Sequence, residues 1–235
     1  MKIHTVIVTG ATQGLGRAIA LAFARAGHRV IGLYASDEVA AERLREDLGP
    51  AGGSLVVKQD VSVENRGFWD RAEIQAAASL VLINNAWCGF HPAPLHLVPW
   101  DDFDKGLTIG LKGSWLCARE VLRPMARAGQ GTIVNVLSSA THGLPPKGFA
   151  AYVTAKHALQ GLTLALAAEY AGRGIRIFSV SPGFMPTALT AGWEPRLVEA
   201  IRAHARITDP EQAAQRIRDL VEGPAIDSDG CDYPV

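Results

Sequence analysis

The chain has 235 residues, of which 48% are hydrophobic and 20% charged, as expected for a globular protein large enough to bury a core. Its 23 basic and 23 acidic residues balance, so charge gives no reason to expect nucleic acid or an acidic membrane surface as a partner. No run of about 18 apolar residues predicts a transmembrane helix, and the N-terminal segment lacks the features of a signal peptide. Cys88, Cys117 and Cys231 have no regular spacing, which argues against a disulfide framework or a metal site. We therefore expect a cytoplasmic protein that binds no metal, membrane or nucleic acid.

Short β-branched runs alternate along the chain with longer segments rich in Ala and Leu. Strands are predicted at Ile3–Thr9, Arg29–Tyr34, Leu55–Lys58, Leu80–Ile83, Thr132–Leu137 and Ile175–Val180. Helices are predicted at Leu15–Ala26, Asp37–Leu48, Val63–Ala77, Phe103–Ala128 and Ala150–Tyr170, followed by a capped helix start at Thr208–Ala214 and a candidate edge strand at Ser228–Val235. Nearly continuous apolar strands separated by helices predict a parallel sheet covered on both faces. The fold expected for residues 1–235 is therefore a single-domain, Rossmann-type, doubly wound α/β fold.

Two irregular stretches, near 87–99 and 182–205, follow predicted strand ends. In open α/β sheets, ligands bind beyond the carboxyl ends of the strands, so these stretches are expected to form substrate loops. The candidates for the pocket wall are mostly aromatic or apolar: Trp87, Phe90, His91, His96, Thr141, His142, Phe184, Met185 and Trp193. They favour a carbonyl or alcohol on a fairly hydrophobic body, although aromatic residues in loops often serve packing alone.

A glycine-rich turn connects the first predicted strand to the first predicted helix. It reads Thr9-Gly10-Ala11-Thr12-Gln13-Gly14-Leu15-Gly16. Glycines at such a turn let the backbone approach a pyrophosphate, and the helix N-terminus offers free N–H groups to the anion. Because a strand precedes the turn and a helix follows it, dinucleotide binding is favoured over an ordinary tight turn.

With this turn the sequence resembles the short-chain dehydrogenase/reductase family, whose glycine pattern is T-G-x-x-x-G-x-G, and in particular its 3-oxoacyl-[acyl-carrier-protein] reductase-like members. Asp60-Val61 is similar to the family's adenine-contacting pair, and Asn84-Asn85-Ala86 to its N-N-A-G motif, with Trp87 at the last position. Pro182-Gly183 and Thr187 resemble the P-G-x-x-x-T segment near the nicotinamide. The resemblance implies a cofactor site built from Gly10, Thr12, Gln13, Gly14, Leu15, Gly16, Tyr34, Ser36, Asp60, Val61, Asn84, Ala86, Tyr152, Lys156, Pro182, Gly183 and Thr187.

The end of the second strand bears on the choice between NAD and NADP. An acidic residue there binds the ribose hydroxyls of NAD, but this chain has Tyr34, Ala35 and Ser36. The missing carboxylate favours NADP, with NAD as the alternative because the basic residues common in NADP-binding members are also missing. Asp37 is predicted to cap the next helix.

Tyr152 and Lys156 are the candidate proton-transfer pair. Their spacing of four places both side chains on one face of a helix. A neighbouring ammonium is expected to lower the pKa of the phenol toward the working range. By the family's spacing Ser139, thirteen positions before Tyr152, is the expected third member, and Ser138 is its rival. The Ser139 hydroxyl would hydrogen-bond the substrate oxygen.

Gly110 departs from the family pattern, because an Asn that helps to position a water in a proton relay is expected there. The main hypothesis is a reductase or dehydrogenase that acts on a small carbonyl or alcohol. Gly110 leaves two alternatives open: a redox-impaired dinucleotide-binding scaffold or regulator, and a dehydration or epimerisation that recycles the cofactor. The family resemblance also implies a homodimer or homotetramer.

Overall fold

The computed structural model describes residues 3–187, 190–223 and 230–235. Within them, seven parallel strands form one sheet in the order β3-β2-β1-β4-β5-β6-β7. The strands are β1 Thr5–Thr9, β2 Arg29–Tyr34, β3 Leu55–Lys58, β4 Leu80–Asn84, β5 Gly131–Val136, β6 Ile175–Ser181 and β7 Asp232–Pro234. The order reverses between β1 and β4, which places the carboxyl ends of these two strands beside the crevice where such sheets bind ligands.

Helices pack on both faces of the sheet. They are α1 Gly14–Arg25, α2 Glu38–Leu48, α3 Arg66–Trp69, α4 Ala72–Gln75, α5 Trp100–Gly106, α6 Gly113–Ala128, α7 Ala150–Tyr170, α8 Pro195–His204 and α9 Pro210–Glu222. On one face, Ile19 of α1 and Ile217 of α9 are fully buried in a single core. On the other face, Val121 of α6 packs with Leu82 of β4 in a second core. The predicted Rossmann-type α/β fold is confirmed, and it follows from strands that bury apolar side chains on both faces.

The predicted helices change in two places. Instead of a continuous Val63–Ala77 helix the chain forms α3 and α4, because the Asn65 side chain caps one short helix and the Gln75 amide bonds back to the Trp69 carbonyl at 2.8 Å. Instead of a regular Phe103–Ala128 helix, a π-helical segment at Leu107–Lys112 separates α5 from α6. Gly110 lies in that segment, and the Trp87 ring from the loop after β4 packs against it. The periodicity of the sequence does not reveal this tertiary contact.

The ends of the chain also differ from the prediction. Ile3 is exposed and precedes β1, whereas the candidate strand Ser228–Val235 is reduced to β7, with Ser228 and Asp229 outside the described residues. Helix α8 lies within the stretch near 182–205 that was expected to be loop. No helix in the described ranges is both long and apolar enough to cross a membrane.

Helix α7 carries the candidate proton-transfer pair to the carboxyl end of β5. Apart from Lys156, its buried residues recur every fourth position, at Ala155, Leu159, Thr163 and Ala167, which forms one continuous buried face. The Thr163 hydroxyl accepts a hydrogen bond at 2.8 Å from the side-chain amide of Asn135 in β5. This buried bond fixes the helix against the strand and so determines where its first turn lies.

Candidate active site

The glycine-rich turn between β1 and α1 is built for close backbone approach. A Cβ on Gly16 would lie 2.1 Å from the carbonyl oxygen of Gly10, so only glycine lets the helix begin here. Gly10 itself has a φ of 63°, in the left-handed region that favours glycine. The side chain of the N-cap residue Gln13 does not cap the start of α1, so the first N–H groups of this helix can bind an anion.

The loop after β4 holds this turn in place. The Asn85 side-chain amide donates to the carbonyl oxygens of Thr9 at 2.9 Å and Gly10 at 3.2 Å. In return, the Thr9 hydroxyl accepts hydrogen bonds from the backbone N–H groups of Asn85 and Ala86, both at 2.9 Å. Asn85 was not among the predicted cofactor residues, yet it supports the geometry of the turn and lines the cleft.

A cleft of about 660 Å³ runs from the glycine turn to Tyr152 and Lys156. Every predicted cofactor residue except Asn84 lines it: Gly10, Thr12, Gln13, Gly14, Leu15, Gly16, Tyr34, Ser36, Asp60, Val61, Ala86, Tyr152, Lys156, Pro182, Gly183 and Thr187. These residues come from six separate places in the chain, and the carboxyl ends of the parallel strands bring them to one edge of the sheet. A long cleft with a glycine cradle at one end and an ionisable pair at the other fits a dinucleotide.

Asn84 was predicted as a cofactor residue, but it does not line the cleft. The residue is only 3% exposed, and its amide donates to the Asn135 side-chain oxygen at 2.8 Å and toward the Ser114 carbonyl at 3.4 Å. It therefore lies beneath the cleft and connects β4 to β5 and α6. As the last residue of β4 it points into the protein, so its neighbour Asn85 faces the cleft instead.

At the far end of the cleft, polar groups fix the end of β2. The Tyr34 hydroxyl donates to Glu38 at 2.5 Å and accepts from Arg45 at 3.1 Å, and Lys58 donates to Glu38 at 2.9 Å. The hydrogen bond from Tyr34 and then that from Lys58 lower the pKa of the Glu38 carboxyl. As predicted, Asp37 caps α2 by accepting from the Ala40 N–H at 2.9 Å. Its other carboxylate oxygen accepts from Gln13 at 2.6 Å, and Asp37 also lines the cleft.

At the opposite end lie Tyr152 and Lys156, one turn apart on α7. Lys156 is 4% exposed, and its ammonium donates to the Val136 carbonyl at 2.7 Å. Burial lowers the pKa of Lys156 to about 8. The Tyr152 ring stacks on Phe90 with a centroid distance of 4.9 Å and an angle of 9°. The pair is thus held in a largely apolar setting.

Two details of the predicted triad change. The pKa of Tyr152 is raised, because desolvation outweighs the opposing effect of the Ser138 hydroxyl, whereas the sequence predicted a lowering by Lys156. Lys156 Nζ lies 5.8 Å from the centroid of the Tyr152 ring and is engaged with Val136. Ser138 lines both cavities together with Tyr152, whereas the favoured Ser139 lines only the neighbouring pocket. Strand β5 ends at Val136, one residue earlier than expected, and this shifts the serine register.

A second cavity, of about 580 Å³, adjoins the cleft at Tyr152. Its core consists of aromatic rings in mutual contact, with Trp193 centred 5.1 Å from Phe90 and 5.4 Å from Phe149. Of the predicted wall residues, Phe90, His142, Phe184, Met185 and Trp193 line this pocket, and Trp87 and His91 line the cleft. His96 and Thr141 line neither of the two, and the Thr141 hydroxyl donates to the Ser138 carbonyl at 2.7 Å. The two cavities adjoin at the hydroxyls of Tyr152 and Ser138 and at five further residues that line both: Phe90, Gly183, Met185, Thr187 and Trp193.

Known proteins resemble this chain over most of its length. The family described as short chain dehydrogenase matches residues 4–197. The chain belongs to the short-chain dehydrogenase/reductase family. It is 31% identical to a 3-oxoacyl-[acyl-carrier-protein] reductase of Synechocystis over 96% of this chain and 92% of that protein. This membership confirms the general prediction of a dehydrogenase or reductase that uses a nicotinamide dinucleotide.

Two solved structures share the fold over nearly the whole chain. A Beutenbergia cavernae protein assigned as an NAD(P) dependent gluconate 5-dehydrogenase, with NADP bound at low occupancy, has a TM-score of 0.86 and 32% identity, covering 98% of this chain and 94% of that one. A 3-ketoacyl-(acyl-carrier-protein) reductase from Brucella melitensis, complexed with NADH, has a TM-score of 0.85 and 27% identity, covering 99% and 96%. One neighbour thus holds NADP and the other NADH.

Proposed function

We propose that this protein catalyses reversible hydride transfer between a nicotinamide dinucleotide and a small carbonyl or alcohol, with Tyr152 as the acid/base. The observation that carries the proposal is the junction of the two cavities. The dinucleotide-sized cleft and the aromatic pocket share Tyr152 and Ser138, and Lys156 lies one helical turn further on. A nicotinamide dinucleotide in the cleft supplies or accepts the hydride.

The chain's own groups then move and hold the proton. In the reductive direction the Tyr152 hydroxyl donates its proton to the substrate oxygen, and in oxidation it takes the proton back. Ser138, which lines both cavities beside Tyr152, is proposed in place of Ser139 as the group that holds the substrate oxygen beside that hydroxyl. Lys156, held by Val136, places a positive charge near the phenolate that forms.

The aromatic pocket supports a substrate with an apolar body. Phe90, Phe149 and Trp193 give the pocket large apolar faces. The charged side chains that line the pocket, Lys147 and Arg206, belong to exposed residues. The relatives named as a 3-oxoacyl-[acyl-carrier-protein] reductase and a gluconate 5-dehydrogenase are consistent with chemistry at a carbonyl or alcohol carbon.

NADP is the proposed preferred nucleotide. The Asp37 carboxylate is occupied on both oxygens, by Gln13 and by the α2 N-terminus, so it is less available to ribose hydroxyls. Beside it, a depression lined by Thr12, Gln13, Asp37 and two arginines, Arg17 and Arg43, offers positive charge to a 2′-phosphate. Arg17 is shared with Asp47 in an ion pair, which leaves Arg43 as the more available cation.

The deciding experiment measures NADPH and NADH consumption by the purified protein across aldehydes and ketones, for the wild type and for Tyr152→Phe. We expect wild-type turnover and a loss of about 10²–10⁴-fold in the variant, the range that general acid–base groups contribute. Tyr170→Phe, at the far end of the same helix, is the matched control and should retain wild-type turnover. Full turnover in Tyr152→Phe would overturn the mechanism. Cofactor binding without turnover in the wild type would favour the scaffold alternative.

We also propose a homo-oligomer in the cytoplasm. Apolar residues on the outer surface of two long helices support self-association, because Trp115 of α6 is 44% exposed and Leu164 of α7 is 53% exposed. Sedimentation velocity tests this part directly, and a monomer at all concentrations would refute it.

A further inference from the structure

The space beside Lys156 is occupied by an indole ring that comes from a different part of the chain. Trp87 follows β4, and its ring presents a face to the Lys156 ammonium at 4.8 Å from the ring centroid. The same ring meets Tyr152 edge-on, with centroids 5.0 Å apart and an interplanar angle of 89°. Trp87 therefore contacts both members of the proton-transfer pair.

The ring fits only because Gly110 has no side chain. A Cβ on Gly110 would lie 2.4 Å from Cζ3 and 2.9 Å from Cε3 of Trp87. Gly106, one turn earlier, borders the same ring, with its Cβ position 3.2 Å from Cη2. The Trp87 ring thus occupies the space in which a side chain at position 110 of the π-helical segment would lie.

The carbonyl of Gly110 already has a hydrogen-bond partner away from Lys156. It accepts a hydrogen bond from the Ser114 hydroxyl of α6 at 2.7 Å. The Trp87 Nε1 is buried and has no hydrogen-bond partner among the described residues. The ring therefore acts through its carbon faces, and it separates Lys156 from α5 and from the π-helical segment.

We propose that Trp87, admitted by Gly110, is a positioning residue that shields Lys156 from water and holds the ammonium beside Tyr152. The cation lies over the aromatic face, which attracts it, while the ring fills the volume that water would otherwise enter. Among the described residues, Cys88 in the loop after β4 acts electrostatically on Lys156, and the Tyr152 ring on the same helix lies 5.8 Å from its ammonium. Lys105 and Asp102 of α5 act in turn on Cys88. The lowered pKa of Lys156 agrees with this shielding.

The test measures the pKa of Lys156 by competitive acylation of its amine across a pH series, with mass spectrometry of the peptide. This readout does not need turnover. Wild type should titrate well below an ordinary lysine, near the value of about 8. Gly110→Ala pushes the ring aside, and Trp87→Ala removes it. Each should raise the pKa of Lys156 by at least about one unit, because the water that enters stabilises the ammonium by more than the lost contact with the ring.

Three further variants make the result decisive. Gly161→Ala on α7 has open space at its Cβ position and controls for glycine removal in a helix, so it should leave the pKa unchanged. Trp87→Phe keeps an aromatic face and should stay closer to wild type than Trp87→Ala. In a Trp87→Ala background, Gly110→Ala should add no further shift, because it acts only through the ring.

The kinetic readout rests on the proposed function. The basic limb of the reductive kcat/KM profile reports loss of the Lys156 proton, and it should move to higher pH in Gly110→Ala and Trp87→Ala. An ordinary pKa for Lys156 in the wild type, or an unchanged value in Trp87→Ala, would overturn the shielding proposal even if turnover is normal. Absent turnover with a shifted Lys156 would instead refute the proposed function alone.

Discussion

On one side of Tyr152 the cleft is lined by strand ends and a glycine turn, whereas on the other side the pocket is lined by aromatic side chains. The cleft's shape at Gly10 and Gly16 comes from backbone conformation, which a single added Cβ would disrupt. The pocket and the proton-transfer end instead take their shape from side chains that reach in from distant segments, such as Trp87 and Trp193. The cofactor end therefore tolerates little variation, and specificity can change at the other end without altering the fold.

The largest effect is expected at the junction of the two cavities, which Tyr152 and Ser138 line. Ser138→Ala should lower reductive kcat by about 10²–10³-fold, since it removes one donor to the reacting oxygen. Ser139→Ala, one residue along the same turn, is the matched control and should change kcat by less than about tenfold. Steady-state kinetics on one aldehyde compares the two, and the reverse ranking would restore Ser139 as the third member.

The next effect probes the backbone-built side. Gly16→Ala places a Cβ 2.1 Å from the Gly10 carbonyl oxygen, so the turn must open. We expect dinucleotide affinity to fall by about 10- to 100-fold, which corresponds to the ~1–3 kcal/mol of a forced steric insertion. Fluorescence titration with NADPH measures it, with Gly161→Ala as the control. Equal affinities in the two variants would show that the turn does not shape the cofactor site.

A smaller effect is expected in the aromatic pocket. Phe184→Ala should raise KM about tenfold for a carbonyl with a large apolar body and hardly at all for a small aldehyde, because it removes only wall contacts. Phe103→Ala, whose ring stacks on Trp100 away from both cavities, is the control. A similar loss for both substrates would point to general damage to the site and not to substrate recognition.

The smallest effect concerns the nucleotide. Arg43→Ala should weaken NADPH binding by about three- to tenfold and leave NADH binding unchanged, because a surface cation beside a phosphate contributes only modestly. The control is Arg25→Ala, at the C-terminal end of α1 and outside this depression, which should alter neither affinity. Should the wild type itself bind NADH more tightly, the NADP assignment fails while the chemistry stands.

The sequence by itself determined the parallel sheet, the place of the glycine turn, and the helix that carries Tyr152 and Lys156. These features depend on local chemistry: apolar runs that must be buried on both faces, glycines that a tight turn requires, and a spacing of four on a helix. Neighbouring residues supply all the information, so a single chain read in order reveals them.

Only the tertiary structure decided which of two adjacent residues faces the site. Ser138 and not Ser139 lines the cleft, since β5 ends at Val136, and Asn85 and not Asn84 lines it, because Asn84 is paired with Asn135 inside. A shift of one residue along a strand or turn reverses the direction of a side chain, and local patterns cannot locate strand ends that closely. The fit of Trp87 against Gly110 depends on two segments 23 positions apart, whose contact exists only once the sheet has brought them together.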